Sequence, residues 1–254
     1  EDIRGPDVCA MRLIPLRVAP WPGGSVAGSP WGRPLLMSFS PYRAGGSGLE
    51  KYLMWTLSSR MNGRRYVGQE FRKATAEDLS LICTTFARSF WDDPVMRWLF
   101  PDDDVFRDGT VMQGFFQRVM AHDCTLVTPD VAAFSMWIPP TRPELDVDTG
   151  PSEPPSDEML AKFIALREAL VANTPEEDHW YLQMVGTHPD WQRRGIGSTL
   201  IREGLSWAER DGVSAYLETE TIENVAYYRH LGFEVRTEWD VAAGGPHMWG
   251  MWHP

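Results

Sequence analysis

Apolar positions along the chain change period several times, and each change marks an element. The stretch "YVGQEFRKAT", from Tyr66, alternates apolar and polar residues as a half-buried strand does. It ends at Thr75, Ala76, Glu77 and Asp78, where Thr75 and Asp78 read as a capping box heading a helix. In that helix, "AEDLSLICTTFARSF", Leu79, Ile82, Cys83 and Phe86 recur at helical spacing on one face. The pattern breaks at "WDDPVMRWLFPDDD", bracketed by Pro94 and Pro101. A second amphipathic helix is expected over 108–121. Two short strands follow, "CTLVT" and "VAAFSMWI", separated by a Pro-Asp turn.

The acidic, proline-rich run "PPTRPELDVDTGPSEPPSDE" is too polar for a core and reads as a surface loop inside the domain. A helix is expected over 156–172. "HWYLQMVGT" is the longest apolar strand, "QRRGIGSTLIREGLSWAERDG" a helix, "SAYLETE" a strand and "NVAYYRHLGF" a short helix. "EVRTEWDV" and "PHMWGMW" pair as a hairpin around Gly244 and Gly245, with Trp249, Met251 and Trp252 alternating as strand core and rim. Strands alternate with helices in the middle and pair as hairpins at the ends. That order predicts an α/β (α+β) domain with a mixed sheet covered by helices.

Length and charge narrow the class. The 254 residues, 43% hydrophobic and 12% aromatic, suit one compact domain plus extra segments. A formal net charge of -11 argues against a nucleic-acid binder, whose affinity rests on clustered Lys and Arg. The three cysteines, Cys9, Cys83 and Cys124, are too scattered for a disulfide framework or a zinc site. No run reaches the ~18 to 20 apolar residues of a membrane span. A cytoplasmic protein with neither metal nor membrane partner is expected.

Residues 1–65 differ from the rest: nine Lys/Arg against four Asp/Glu, rich in Gly, Pro and Ser, without apolar period. They read as a disordered N-terminal extension ahead of a domain over 66–254. Their arginine-rich, acid-poor balance also fits a transit peptide. The chain opens on Glu1 rather than Met, and Met61 stands just ahead of the first strand.

Candidate chemistry concentrates in "HPDWQRRGIGSTLI", where a strand turns into a helix. The first amides of a helix have no intrahelical partner, and the helix dipole favours an anion there. Gly195 and Gly197 let a phosphate approach the backbone, and Arg193 and Arg194 add positive charge. Glycines that only start a helix tightly would look the same. A dinucleotide fingerprint needs a third glycine where Leu200 stands, and no P-loop lysine follows.

The wider window resembles the GNAT N-acetyltransferase superfamily. Gln192, Arg193, Arg194, Gly195, Ile196 and Gly197 match its Q/R-x-x-G-x-G/A motif, and "ENVAYYRHLGFE" resembles its second signature. The stretches "FARSFWDDPVMRWLFPD", "HWYLQMVGTHPDWQRRGIGS", "AYLETETIENVAYYRHLGF" and "GGPHMWGMWHP" are similar to puromycin N-acetyltransferases across about 67–254, loosely over 140–178. The resemblance implies the GNAT fold, a mixed, mostly antiparallel sheet of about six or seven strands flanked by helices. It also implies acetyl-CoA as cosubstrate, its pyrophosphate on the amides of residues 193–198, Ser198 included.

Further roles follow from the resemblance. Tyr228 aligns with the tyrosine that protonates the leaving sulfur, with Tyr227 as fallback. Asn224 would bond the pantetheine arm or cap its helix. Backbone groups of Val185, Gly186 and Thr187 would pair with the pantetheine, one N–H meeting the oxyanion. The amine attacks the thioester directly, and none of the cysteines sits in a nucleophile motif.

The family's strand glutamate is replaced by Tyr181, so another base is needed. Glu218, at the end of "SAYLE", is the nearest; His179 and His122 are further candidates. Trp91, Asp92 and Asp93 lie where the family roofs its acceptor cleft. With Tyr181, they would hold an aromatic or cationic amine. The expected acceptor is a small-molecule, antibiotic-like amine, and the protein a monomer or homodimer. A peptide or protein acceptor, and a non-catalytic acyl-CoA-binding module, are the competing readings.

Overall fold

The computed structural model describes residues 70–141, 145–150, 155–242 and 244–254. The extension over 1–65, and the first residues of the opening strand, lie outside the described residues. Seven strands form one sheet: β1 (Arg72–Lys73), β2 (Thr125–Val127), β3 (Ala133–Ile138), β4 (His179–Thr187), β5 (Ser214–Thr219), β6 (Glu234–Asp240) and β7 (His247–His253). Their order is β1-β2-β3-β4-β5-β7-β6. Every pairing is antiparallel except that of β4 with β5. The expected mixed, mostly antiparallel sheet is present.

The capping pair ahead of the first helix is there, in altered form. Asp78 reaches back to the Thr75 N–H at 2.7 Å and also takes the Thr75 hydroxyl. Arg72 clamps the same carboxylate through both terminal nitrogens at 2.7 Å, holding its pKa down at about 2. The box closes a 3-10 turn (Ala76–Asp78) that leads into α1 (Leu79–Ser89).

"WDDPVMRWLFPDDD" is more regular than a simple break. Asp93 caps α2 (Pro94–Leu99), its Oδ1 accepting the Met96 N–H at 2.8 Å, with Pro94 in the first turn. Asp102 caps α3 (Asp103–Phe106). The single helix expected over 108–121 is instead a 3-10 turn (Thr110–Met112) followed by α4 (Gln113–Met120). Gly109, left-handed at φ 73, interrupts it. α5 (Asp157–Asn173) begins at its Ser156 cap, while residues 145–150 of the acidic connection carry no regular structure. α6 (Ile196–Asp211) and α7 (Ile222–Arg229) complete the helices.

Strand alternation sorts the core onto two faces. Phe134, Met136, Ile138, Tyr181 and Tyr216 point to the side covered by α1, α4 and α5. Ala133, Trp137, Trp180, Leu182, Ala215 and Leu217 point to the side of α6 and α7. Here lies the answer to the missing third glycine: close helix-to-sheet contact is made one turn later, by Gly204. A Cβ there would stand 2.0 Å from Trp137 Cε2. Gly204→Ala is therefore expected to cost about 2–3 kcal/mol, because a buried indole and a helix must separate. Denaturant melts of wild type and variant would measure it.

Candidate active site

The site forms where two parallel strands part. β4 and β5 pair only through His179, Trp180 and Tyr181 against Ser214, Ala215 and Tyr216. The pairing of β3 with β4 then skips Gln183: Trp137 faces Leu182, and Met136 faces Met184. One extra residue in β4 reverses the alternation, so Leu182 and Met184 lie on opposite faces of the sheet. Beyond that bulge, the edge of β4 toward β5 has no strand partner, and a cavity of about 960 Å³ opens there. Its wall includes Val185, Thr187, Gln192, Arg193, Gly195, Gly197, Ser198, Asn224 and Tyr228.

At one end stands the head of α6. Its first helical bond runs from the Thr199 N–H to the Gly195 carbonyl, so the amides of Ile196, Gly197 and Ser198 have no helical acceptor. Gly195 takes φ 79, which glycine allows without strain, and Arg193 takes φ 60, which costs a non-glycine residue energy. Gln192 Nε2 ties the turn to the Thr187 carbonyl at 3.1 Å. A Cβ on Gly197 would come within 3.3 Å of the Tyr227 hydroxyl and 3.5 Å of Thr187 Oγ1, so glycine keeps the space between these hydroxyls and the helix head open.

Two residues expected at this end behave otherwise. Arg194 stacks its guanidinium over Trp191, 4.8 Å from the ring centre, and donates to the Asp190 carbonyl; it is not part of the wall. Gly186 packs against Phe134 and Ser89 on the far side of β4. Tyr227 bridges to Ser198 at 3.0 Å, which puts its hydroxyl at the anion end. Asn224 is not the cap of α7. Thr221 is, accepting the Asn224 N–H at 3.3 Å, which leaves the Asn224 side chain to line the cavity.

The other end is carboxylate-rich. Tyr181 donates to Glu218 Oε2 at 2.5 Å across the gap between β4 and β5. Gln183 Nε2 reaches the Tyr181 hydroxyl at 3.5 Å. Tyr228 is 8% exposed, and its hydroxyl makes no hydrogen bond to any described residue. Burial, then the charges of Glu220, Tyr227 and Asp93, raise its pKa well above the usual phenol value. Trp91, Asp92 and Asp93 line this end too, although Arg97 covers one face of the Trp91 ring and Asp93 is committed to its cap.

The histidine alternatives fall away. His179 is buried between Tyr216 and Trp252, its Nδ1 at 2.6 Å from the Glu177 carbonyl, and His122 sits elsewhere; neither lines the cavity. Glu220 was missed. It lines the cavity, and burial, then the charge of Asp93, push its carboxyl well above the usual carboxylate range. The signal was in "LETETIEN", where alternation puts Glu220 beside Glu218.

Residues 160–233 match the family model described as acetyltransferase (GNAT) family. Similar solved structures include a histone acetyltransferase HPA2 and related acetyltransferase from Corynebacterium glutamicum. It is 20% identical at a TM-score of 0.51, covering 74% of this chain and 97% of that one. The domain has the GNAT acetyltransferase fold. The arylalkylamine N-acetyltransferase 2 of Aedes aegypti shares the GNAT fold at 12% identity and TM-score 0.54, over 72% of this chain and 97% of that one. A probable serine/threonine-protein kinase of Dictyostelium discoideum is 35% identical over 65 residues, 24% of this chain; the chain spans about 8% of that protein's length. Among the described residues of the GNAT domain, no helix is long and apolar enough to cross a membrane.

Proposed function

We propose that the GNAT domain, taken as residues 66–254, is an acetyl-CoA-dependent N-acetyltransferase acting on the primary amine of a small molecule by direct attack in a ternary complex. One observation carries the reading: a single cavity joins the open amides of α6, the unpaired edge of β4, a buried uncommitted tyrosine hydroxyl and a carboxylate. Acetyl-CoA, when bound, supplies an activated acyl carbon and a thiolate leaving group.

The chain's own groups fit that cosubstrate. The amides of Ile196, Gly197 and Ser198, with Arg193, hold a diphosphate. The β4 edge at Val185 and Thr187, with Asn224, receives a pantetheine arm as a strand edge receives a peptide. A main-chain N–H of that edge faces the oxygen that gains charge. Glu218 takes one proton from the ammonium, freeing the nitrogen lone pair to form the C–N bond. As the C–S bond breaks, Tyr228 gives its proton to the sulfur, and the second proton of the nitrogen leaves to restore the Tyr228 phenol, so that the neutral amide and free thiol result.

The sequence's resemblance to the puromycin N-acetyltransferases favours a small acceptor, and the reading takes the protein as a metal-free cytoplasmic enzyme, monomer or homodimer. The test is release of free coenzyme A thiol from acetyl-CoA with a panel of small amines and of peptides, beside calorimetry with acetyl-CoA. Turnover with small amines is expected. Turnover with peptides alone would make the acceptor a protein, and binding without turnover would make the domain a carrier module.

A further inference from the structure

The cavity differs in chemistry on its two sides. It opens where β4 and β5 part, and its wall draws on both halves of the core. On the side of α6 and α7 stand the groups assigned to the cosubstrate, among them the open amides, Arg193, Asn224 and Tyr228. On the side of α1, α4 and α5 much of the wall is apolar.

Several elements build that apolar wall. Met96 comes from α2, Met112 from the 3-10 turn before α4, and Phe115 from α4 itself. Leu166 and Leu170 come from α5, and Met248 from β7. Each is less than a tenth exposed, yet each lines the cavity. Packed interiors keep few voids larger than a water, so buried apolar side chains left facing a cavity are shaped for an apolar occupant. Leu166 and Leu170 lie one turn apart, so along α5 alone the wall runs about 6 Å. An acetyl group brings one methyl, too little to cover it.

Polar groups bordering the wall are engaged. Ser89 donates to the Thr85 carbonyl at 2.7 Å, and Asp93 accepts the Met96 N–H at 2.8 Å. The Tyr181 ring belongs to the apolar side, and its hydroxyl holds Glu218 at 2.5 Å. The proposed base therefore stands at the edge of an apolar chamber.

We propose, resting on the transferase reading, that this chamber takes the body of the acceptor, and that the acceptor is an amphipathic amine. Its one basic nitrogen meets Glu218, and an apolar chain or ring of several carbons, without a second charge, lies against α2, α4 and α5. Met96, Met112, Met184 and Met248 all line the cavity, and methionine's unbranched thioether adapts to different shapes. Chains and rings of similar size are accordingly both accepted.

Calorimetry on the full chain with coenzyme A, which brings no acetyl group, tests this with n-propylamine, n-hexylamine, 2-phenylethylamine and hexane-1,6-diamine. From propyl to hexyl, affinity is expected to rise about three- to fourfold per methylene. 2-Phenylethylamine should bind within about fivefold of n-hexylamine. The diamine, of the same length but charged at its far end, should lose most of the gain. Leu166→Phe, which adds volume to the wall, should lower the hexylamine-to-propylamine affinity ratio by about tenfold, and retained coenzyme A binding shows that the variant is folded. Affinity that does not grow with chain length, a diamine that binds as tightly as n-hexylamine, a ratio that survives Leu166→Phe, or no heat with any amine would overturn the proposal. Thiol release from acetyl-CoA is read separately: its absence with every amine, while the chain-length trend in binding persists, overturns the transferase reading instead.

Discussion

Tyr228→Phe is expected to lower kcat for acetyl transfer by about a hundredfold or more, while the Kd for acetyl-CoA stays within about twofold. The ring is buried and stacks edge-on against Phe233 at 5.9 Å, so phenylalanine keeps the packing and loses only the hydroxyl. That hydroxyl is engaged by no described residue, which frees it for a departing sulfur. Its raised pKa has a definite consequence for pH. The group stays protonated throughout the neutral and mildly alkaline range, so kcat should show no alkaline limb from Tyr228 below about pH 10. Steady-state kinetics from pH 6 to 10, with calorimetry for the cosubstrate, would check both statements. Tyr227→Phe is the comparison: it removes the bridge to Ser198 and should weaken cosubstrate binding more than turnover. The reverse pattern would exchange the roles of the two tyrosines.

Local signals were legible in the sequence, and contacts between distant segments were not. The turn into α6 was readable because glycine positions, a preceding strand and a following helix are all encoded within a few residues. The mixed sheet covered by helices followed from the order of strands and helices along the chain. What escaped depends on pairing across the chain. The bulge at Gln183 exists only because β3 fixes both sides of it, and it turns a continuous apolar strand into the lip of a cavity. The helix that Asp93 heads escaped because a Pro after an acid was taken as a break, although Asp-Pro is also how a helix begins. Glu220 stands one residue past the end of β5, where no strand pairing marks it as part of the cavity wall. His179 shows the opposite error. A histidine on a strand invites a catalytic role, yet here two aromatic neighbours and a carbonyl occupy it.

Glu218→Gln carries the other large effect. kcat/KM for an amine acceptor at neutral pH is expected to fall by about a hundred- to a thousandfold, because the variant keeps the shape and loses the proton acceptor. The amine enters as an ammonium, and without a base only its small neutral fraction can attack. The deficit should therefore shrink as pH rises toward the pKa of the acceptor amine, where solvent has already removed the proton. A merely structural glutamate would give a deficit independent of pH. Tyr181→Phe separates positioning from proton transfer: it takes away the 2.5 Å hydrogen bond that orients Glu218 but leaves the carboxylate. Its loss should be nearer tenfold, and no larger at low pH than that of wild type scaled down. If Glu218→Gln instead retained full activity at neutral pH, the proton would have to leave by another route. Glu220, which lines the same cavity, would then become the group to substitute next.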